Sequence, residues 1–264
     1  MRGIRKPWPP ADVSPDGQAT RSMRQAAMDF QASLAGATNQ PEHARACFDA
    51  LDKGKLRAVL YREQRYVCIY CERQLGEETE TPPIEHWRAL NKAPQDALSW
   101  ENLYLSCPTR DTCDGAKGGE WLAWESADAP LPWPTEVVYE SWFGFTSGGE
   151  MYVRSEAPLT PGQLRALELA VTNRDDEGQR RRSILNLNHS ALIEARKAVI
   201  DSERSRIERE YPDRRAPEVA RRARAASLLQ EVRYPAFVSV RVAWLERALG
   251  KGRPREPSSP PGNY

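Results

Sequence analysis

The chain has 264 residues, 40% hydrophobic and 28% charged, which suits one fair-sized core or two small ones. Its formal net charge of +1 excludes a globally basic nucleic-acid binder, so any such patch must be local. No apolar run approaches a membrane span, and the opening MRGIRKPWPPADVSPDGQ lacks the apolar region of a secretory signal, which places the chain in the cytoplasm. Residues 1–41, rich in Pro, Gly, Gln and Ala, read as an irregular arm with a short helix near Arg21–Ala35. From Glu42 to Gln64 the positions Ala46, Leu51, Leu56, Val59 and Leu60 fit one helical stripe that Gly54 interrupts.

The texture then changes. YVCIYCERQL predicts a strand broken by a metal knuckle, and TPPIEHWRA a second short strand after its prolines. SWENLYLSC is a loop feeding a short apolar run, and CDGAK opens a helix with Asp114 near its start. Residues 126–159 predict the hairpin EVVYESWFGF–TSGG–EMYVRS, with aromatics that pack a core or platform rather than stack on bases. Residues 160–249 are helical from a Thr160-Pro161 start. The basic run Arg196–Arg224 in that stretch reads as the salt-bridge lacing of an exposed helix. The tail 250–264 reads as disordered.

Five cysteines in a reducing compartment are thiols or metal ligands rather than disulfides. Cys47 stands apart and reads as a small buried hydrophobe. Cys68 and Cys71 have CxxC spacing, while five residues separate Cys107 from Cys113, a slightly loose second pair. Together they predict a closed four-thiolate structural Zn²⁺ site. Such a site staples the intervening segment, which is too short and polar to pack its own core. His43 and His189 read as structural, His189 capping a helix.

Within the stapled segment lie Glu85, His86 and Asn102, and directly after the last cysteine come Asp114 and Lys117. Hydrolysis of a phosphodiester needs a group titrating near neutrality to take a proton from water, and a cation to neutralise developing charge. Histidine suits the first task, paired carboxylates can hold the cation, and lysine adds electrostatic stabilisation.

Residues 68–119 resemble the HNH nucleases, in which a strand ends in an Asp-His pair, an Asn follows in the loop, and a His or Asn opens the helix after the last cysteine. CIYCERQL, IEHWRALN, and LNLN at 185–188 with Leu192 and Arg196 are similar to the HNH subunits of Septu-type and retron-associated anti-phage systems. The resemblance implies an α+β fold with a zinc-stapled ββα-metal core, spanning 42–125, flanked by helices. It implies metal-dependent cleavage of nucleic acid, DNA favoured over RNA, in phage defence, beside an SMC-like ATPase partner. By position, Glu85 matches the metal-binding acid, His86 the general base, and Asn102 the residue that orients the base or braces the loop. Asp114 stands where the second metal ligand is His or Asn, and Lys117 matches a basic residue near the phosphate. Glu for Asp at 85 lengthens the arm and Asp at 114 adds charge; both are oxygen donors, which favours Mg²⁺ or Mn²⁺. The rival readings are a non-catalytic zinc-knuckle module that binds nucleic acid or protein, for which His86 is dispensable, and a purely structural subunit.

Overall fold

The computed structural model describes residues 1–7, 9–76, 81–117, 131–171, 183–212 and 217–246. Three helices precede the cysteine segment: α1 (Met23–Leu34), α2 (Gln40–Asp49) and α3 (Lys53–Glu63). Helix α1 buries Met23, Ala26, Phe30 and Leu34, the three-and-four spacing of one helical face. The single stripe expected over 42–64 is two helices. The break falls at 50–52, where Asp52 accepts from the amides of Gly54 and Lys55 and starts α3. Gly54 therefore sits inside the first turn of α3 instead of interrupting a helix.

Residues 67–74 form a knuckle closed by one isolated bridge, Val67 to Gln74, in place of the expected strand. Left-handed backbone at Arg65, Tyr66 and Glu72 (φ 49°, 64° and 61°) turns the chain too tightly for a ladder. Strand β1 (Ile84–His86) pairs antiparallel with β2 (Leu103–Leu105), in the register Ile84–Leu105, Glu85–Tyr104, His86–Leu103. The free edge of β2 is filled by Gln64, which accepts from Leu105 N at 2.6 Å and donates to Leu105 O at 2.9 Å. Helix α4 (Cys113–Lys117) follows.

The expected hairpin is shorter than predicted: β3 (Phe143–Phe145) pairs with β4 (Met151–Val153), and Tyr139–Trp142 is a 3₁₀ turn. Its aromatics are core, with Tyr139, Trp142, Phe143 and Phe145 all buried. The remaining helices are α5 (Pro161–Val171), α6 (Ser190–Glu210), α7 (Glu218–Gln230) and α8 (Val238–Leu245). His189 does cap α6, its Nδ1 accepting from Ala191 N at 3.2 Å. The fold is thus α+β, helices around two small antiparallel sheets. The tail at 250–264 and any continuation of α4 beyond Lys117 lie outside the described residues.

The N-terminal arm is irregular but it is not loose. Arg2 reaches Ser239 Oγ and Tyr234 OH, Gly3 N donates to Glu140, and Ile4 N donates to Pro134 O. Lys6 is half-buried over the rings of Trp100 and Tyr104 and donates to the carbonyls of Trp100 and Leu103. The arm thereby ties β2, the aromatic segment and the start of α8 into one frame. No helix among the described residues is long and apolar enough to cross a membrane.

Candidate metal centre and adjoining polar site

Four buried cysteines, Cys68, Cys71, Cys107 and Cys113, bring their sulfurs within 4.8 Å of one another and can hold a metal ion such as zinc. The fit can be tested on spacing. A tetrahedral zinc with Zn–S bonds of about 2.3 Å sets its sulfurs about 3.8 Å apart. Cys68 and Cys113 lie at 3.8 Å and Cys71 and Cys107 at 4.0 Å, too far for disulfides and right for a shared ion. Backbone amides already point at two of the sulfurs, Cys107 N to Cys68 at 3.3 Å and Arg73 N to Cys71 at 3.4 Å. The hydrogen bonds from the other three thiols pull Cys107 far below the usual thiol range. Burial pushes Cys113 above it, and Cys71 is raised chiefly by Cys107.

Local sequence explains the shape of the centre. The second cysteine pair is widely spaced, and the loop 107–113 closes because Gly115 lets α4 lie directly on it. A Cβ at that position would meet Thr109 O at 2.4 Å. Cys113 itself is left-handed, with φ 57°, a strain on the order of 1–3 kcal/mol for a non-glycine residue. Its amide is bonded to Leu185 O, and Asn186 donates to Asp111 O at 2.7 Å. The LNLN stretch therefore anchors the second cysteine loop.

The residues between the cysteines divide by the two faces of β1. On one face, Glu85 accepts from Tyr70 OH at 2.8 Å and from Lys117 Nζ at 2.6 Å, and shares a hydrogen bond with Asp114. Burial would raise the Glu85 carboxyl, but Lys117, Asp114 and Tyr70 outweigh it and hold it below the ordinary range. Asp114 is pushed up to about 8, by burial first and the Glu85 charge second. At neutral pH Asp114 therefore carries the proton of the pair and donates it to Glu85. Glu85 and Asp114 thus present two carboxyl groups that share one proton.

Lys117 faces inward. Its ammonium is buried against Glu85 and the carbonyls of His86 and Trp87, so it fixes the end of β1. Tyr70 was not among the predicted site residues, although it lies between Cys68 and Cys71. The large aromatic inside the CxxC was the available signal, because a knuckle so short must point that ring at whatever lies beneath it.

On the other face, His86 packs edge-on against Phe48 of α2, with centroids 4.7 Å apart. Its Nε2 lies 3.0 Å from Ala97 O. A carbonyl can only accept, so Nε2 bears the hydrogen and Nδ1 keeps the lone pair. Burial draws the imidazole down to about 4 against the opposing pull of Glu85, so it is neutral at physiological pH. Asn102 is fully buried and braces the 87–102 loop that presents Ala97. Its Oδ1 accepts from Arg88 N at 2.7 Å, and its Nδ2 donates to Arg88 O and Asp96 O.

The structure thus gathers all nine predicted residues around one short hairpin and helix. Cys47 is half-buried, with Sγ 3.6 Å from His43 Nε2, and His43 stacks on Phe30, both outside this centre. No protein-family model matches the chain. Over 66 residues it is 32% identical to the Septu protein PtuB of Bacillus thuringiensis. That match covers 25% of this chain and 24% of the relative, so the chain spans about a quarter of that protein's length. The comparison supports a relationship to Septu proteins.

Proposed function

We propose that the chain is a metal-dependent nuclease of the HNH type, the effector of an anti-phage complex, hydrolysing phosphodiester bonds in DNA or RNA beside an SMC-like ATPase partner. The observation that carries this reading is the state of His86: neutral, oriented through Nε2 by Ala97, and left with a lone pair on Nδ1. That is the unprotonated form a general base needs, and burial, which draws it to about 4, makes it a weaker base than an imidazole titrating near neutrality. Asn102 holds the loop that orients it, a positioning role. On the opposite strand face Glu85 and Asp114 would hold Mg²⁺ or Mn²⁺, with the proton they share released on binding. Such an ion, when bound, supplies Lewis-acid neutralisation of charge at the phosphate. Lys117 keeps Glu85 ionised and aimed, and Tyr70 does the same from the knuckle. The four-cysteine centre fixes both faces from one end. The Septu relationship supports the defence role and the partner.

The test is cleavage of supercoiled plasmid and of total tRNA with Mg²⁺ or Mn²⁺, with and without the ATPase, comparing wild type with His86→Ala. Loss of a general base lowers the rate by about 10²–10⁴-fold. Cleavage that survives in His86→Ala with the four-cysteine metal retained refutes the mechanism. A wild type inert on both substrates with the ATPase present refutes the activity.

A further inference from the structure

The interior face of α6 carries a charge that its own neighbours leave unbalanced. Arg196 is 1% exposed, although the sequence reads as a solvated helix there. Its Nη1 donates to Gly149 O at 3.3 Å, while Nη2 is buried with no hydrogen-bond partner. The rings of Phe145 and Phe237 flank the guanidinium at 5.9 and 6.0 Å. Among the described residues no carboxylate pairs with it. Glu72 is near, but its oxygens are taken by Ser239 N, Ser239 Oγ and Arg2. A buried guanidinium without a counter-charge is strongly unfavourable, so something must balance it.

After desolvation, the influences on Arg196 are Cys71 and Cys113, ahead of Glu72. The framework explains the proximity. Phe237, which covers the guanidinium, donates its amide to the carbonyl of Glu72, the residue after Cys71. One turn before Arg196, Leu192 is fully buried, and α6 is tethered to the second cysteine loop through Leu185 and Asn186. Even lowered to about 10 by burial, Arg196 stays protonated at neutral pH.

Four thiols that bind one divalent ion release four protons and leave a centre of net charge −2. We infer that Arg196 is the counter-cation of this centre, offsetting the charge that four thiolates leave around a divalent metal and so tightening its binding. The inference rests on the four cysteines holding a metal, and not on the nuclease reading. It makes metal loading and the burial of Arg196 one event: the arginine is costly without the ion and compensated with it.

The experiment uses the full chain as wild type, Arg196→Met and Arg196→Lys. Zinc content is measured first, then zinc affinity by competition with a chromophoric chelator, and the thiolate-to-metal band after Co²⁺ substitution. Arg196→Met should bind zinc about 10–100-fold more weakly, the usual penalty for losing a group that supports metal ligands. Arg196→Lys, which keeps the charge, should recover most of that loss. The Co²⁺ band should shift in Arg196→Met, and the metal-stripped variant should unfold no more easily than the metal-stripped wild type. A merely structural arginine would weaken both forms and spare neither. Equal zinc affinity in wild type and Arg196→Met, or equal losses for Met and Lys, overturns the inference. A wild type that binds no zinc or Co²⁺ overturns the four-cysteine reading and the inference with it, independently of any cleavage result.

Discussion

Removing one member of the buried Glu85–Lys117 pair separates stability from activity. The two groups are 2.6 Å apart, with side chains 7% and 2% exposed, so solvent screening does little. Glu85→Ala leaves the ammonium with backbone carbonyls and Asp114. Breaking a buried pair from one side costs about 3–5 kcal/mol. Asp114, relieved of its neighbour's charge, ionises and takes up part of the ammonium, which sets the expectation at the lower end, about 3 kcal/mol. In a chain of this size that lowers the melting temperature by roughly 6–12 °C. The double variant Glu85→Leu/Lys117→Met replaces the pair with apolar groups of similar volume and should regain most of the loss. It still strands Tyr70 OH, a residual of about 1–3 kcal/mol that Tyr70→Phe then removes. Urea unfolding of the four proteins gives each step, and cleavage assays on the same samples should show no activity wherever Glu85 is absent. If Glu85→Ala lies within about 1 kcal/mol of wild type, the desolvated-pair argument is wrong. If the double variant cleaves nucleic acid, Glu85 is not a metal ligand.

Other expectations follow from the same geometry. His86 has a folded pKa of about 4 against an ordinary 6.5, so the unfolded chain binds more protons between those values. Stability is therefore full above about pH 6.5 and falls as pH drops toward 4, by about 3 kcal/mol from this group; His86→Phe should flatten that dependence in urea titrations, and an unchanged slope counts against it. Asn102→Ala deletes three buried hydrogen bonds, about 2–4 kcal/mol in all, and hydrogen exchange should rise through residues 87–102 and not in α6. Gly115→Ala forces α4 off Thr109 O and should lower zinc retention with little change in the stability of the metal-stripped protein. Because Asp114 is protonated below about 8, Mn²⁺ binding near neutrality should release about one proton, measurable by calorimetry in buffers of different ionisation enthalpy.

The cysteine spacing is the most legible feature, because thiols in pairs have few other uses; the IEH run marks β1, whereas LYL, which reads as a short apolar run, forms the paired strand β2. What the sequence concealed was tertiary. The Arg2, Gly3 and Lys6 stretch has the composition of a solvated arm, yet cation–π contacts and hydrogen bonds to distant residues pin it down. Arginines 204 and 222 do lace helix surfaces, paired with Asp201 and Glu218. Arg196 and Arg221 look the same in the sequence but are interior, because what buries them lies on other elements. Lys117, which the family resemblance sets near the phosphate, lies under β1, a matter of helix phase that spacing alone does not give.

The N-terminal strap has a consequence for biosynthesis. Arg2 bonds to Tyr234 and Ser239, separated from it by 232 and 237 positions. Translation at 5–20 residues per second puts roughly 10–50 s between the appearance of the two partners. All four cysteines are available long before that, so the metal centre can form while the frame around it is still open. Release of Ser239 from the ribosome then engages Glu72 and Arg2 together, one on the metal knuckle and one on the strap. A chain interrupted earlier keeps the knuckle but leaves both charges without their last partner, so truncated products carry the β1–β2 hairpin in an unlocked scaffold.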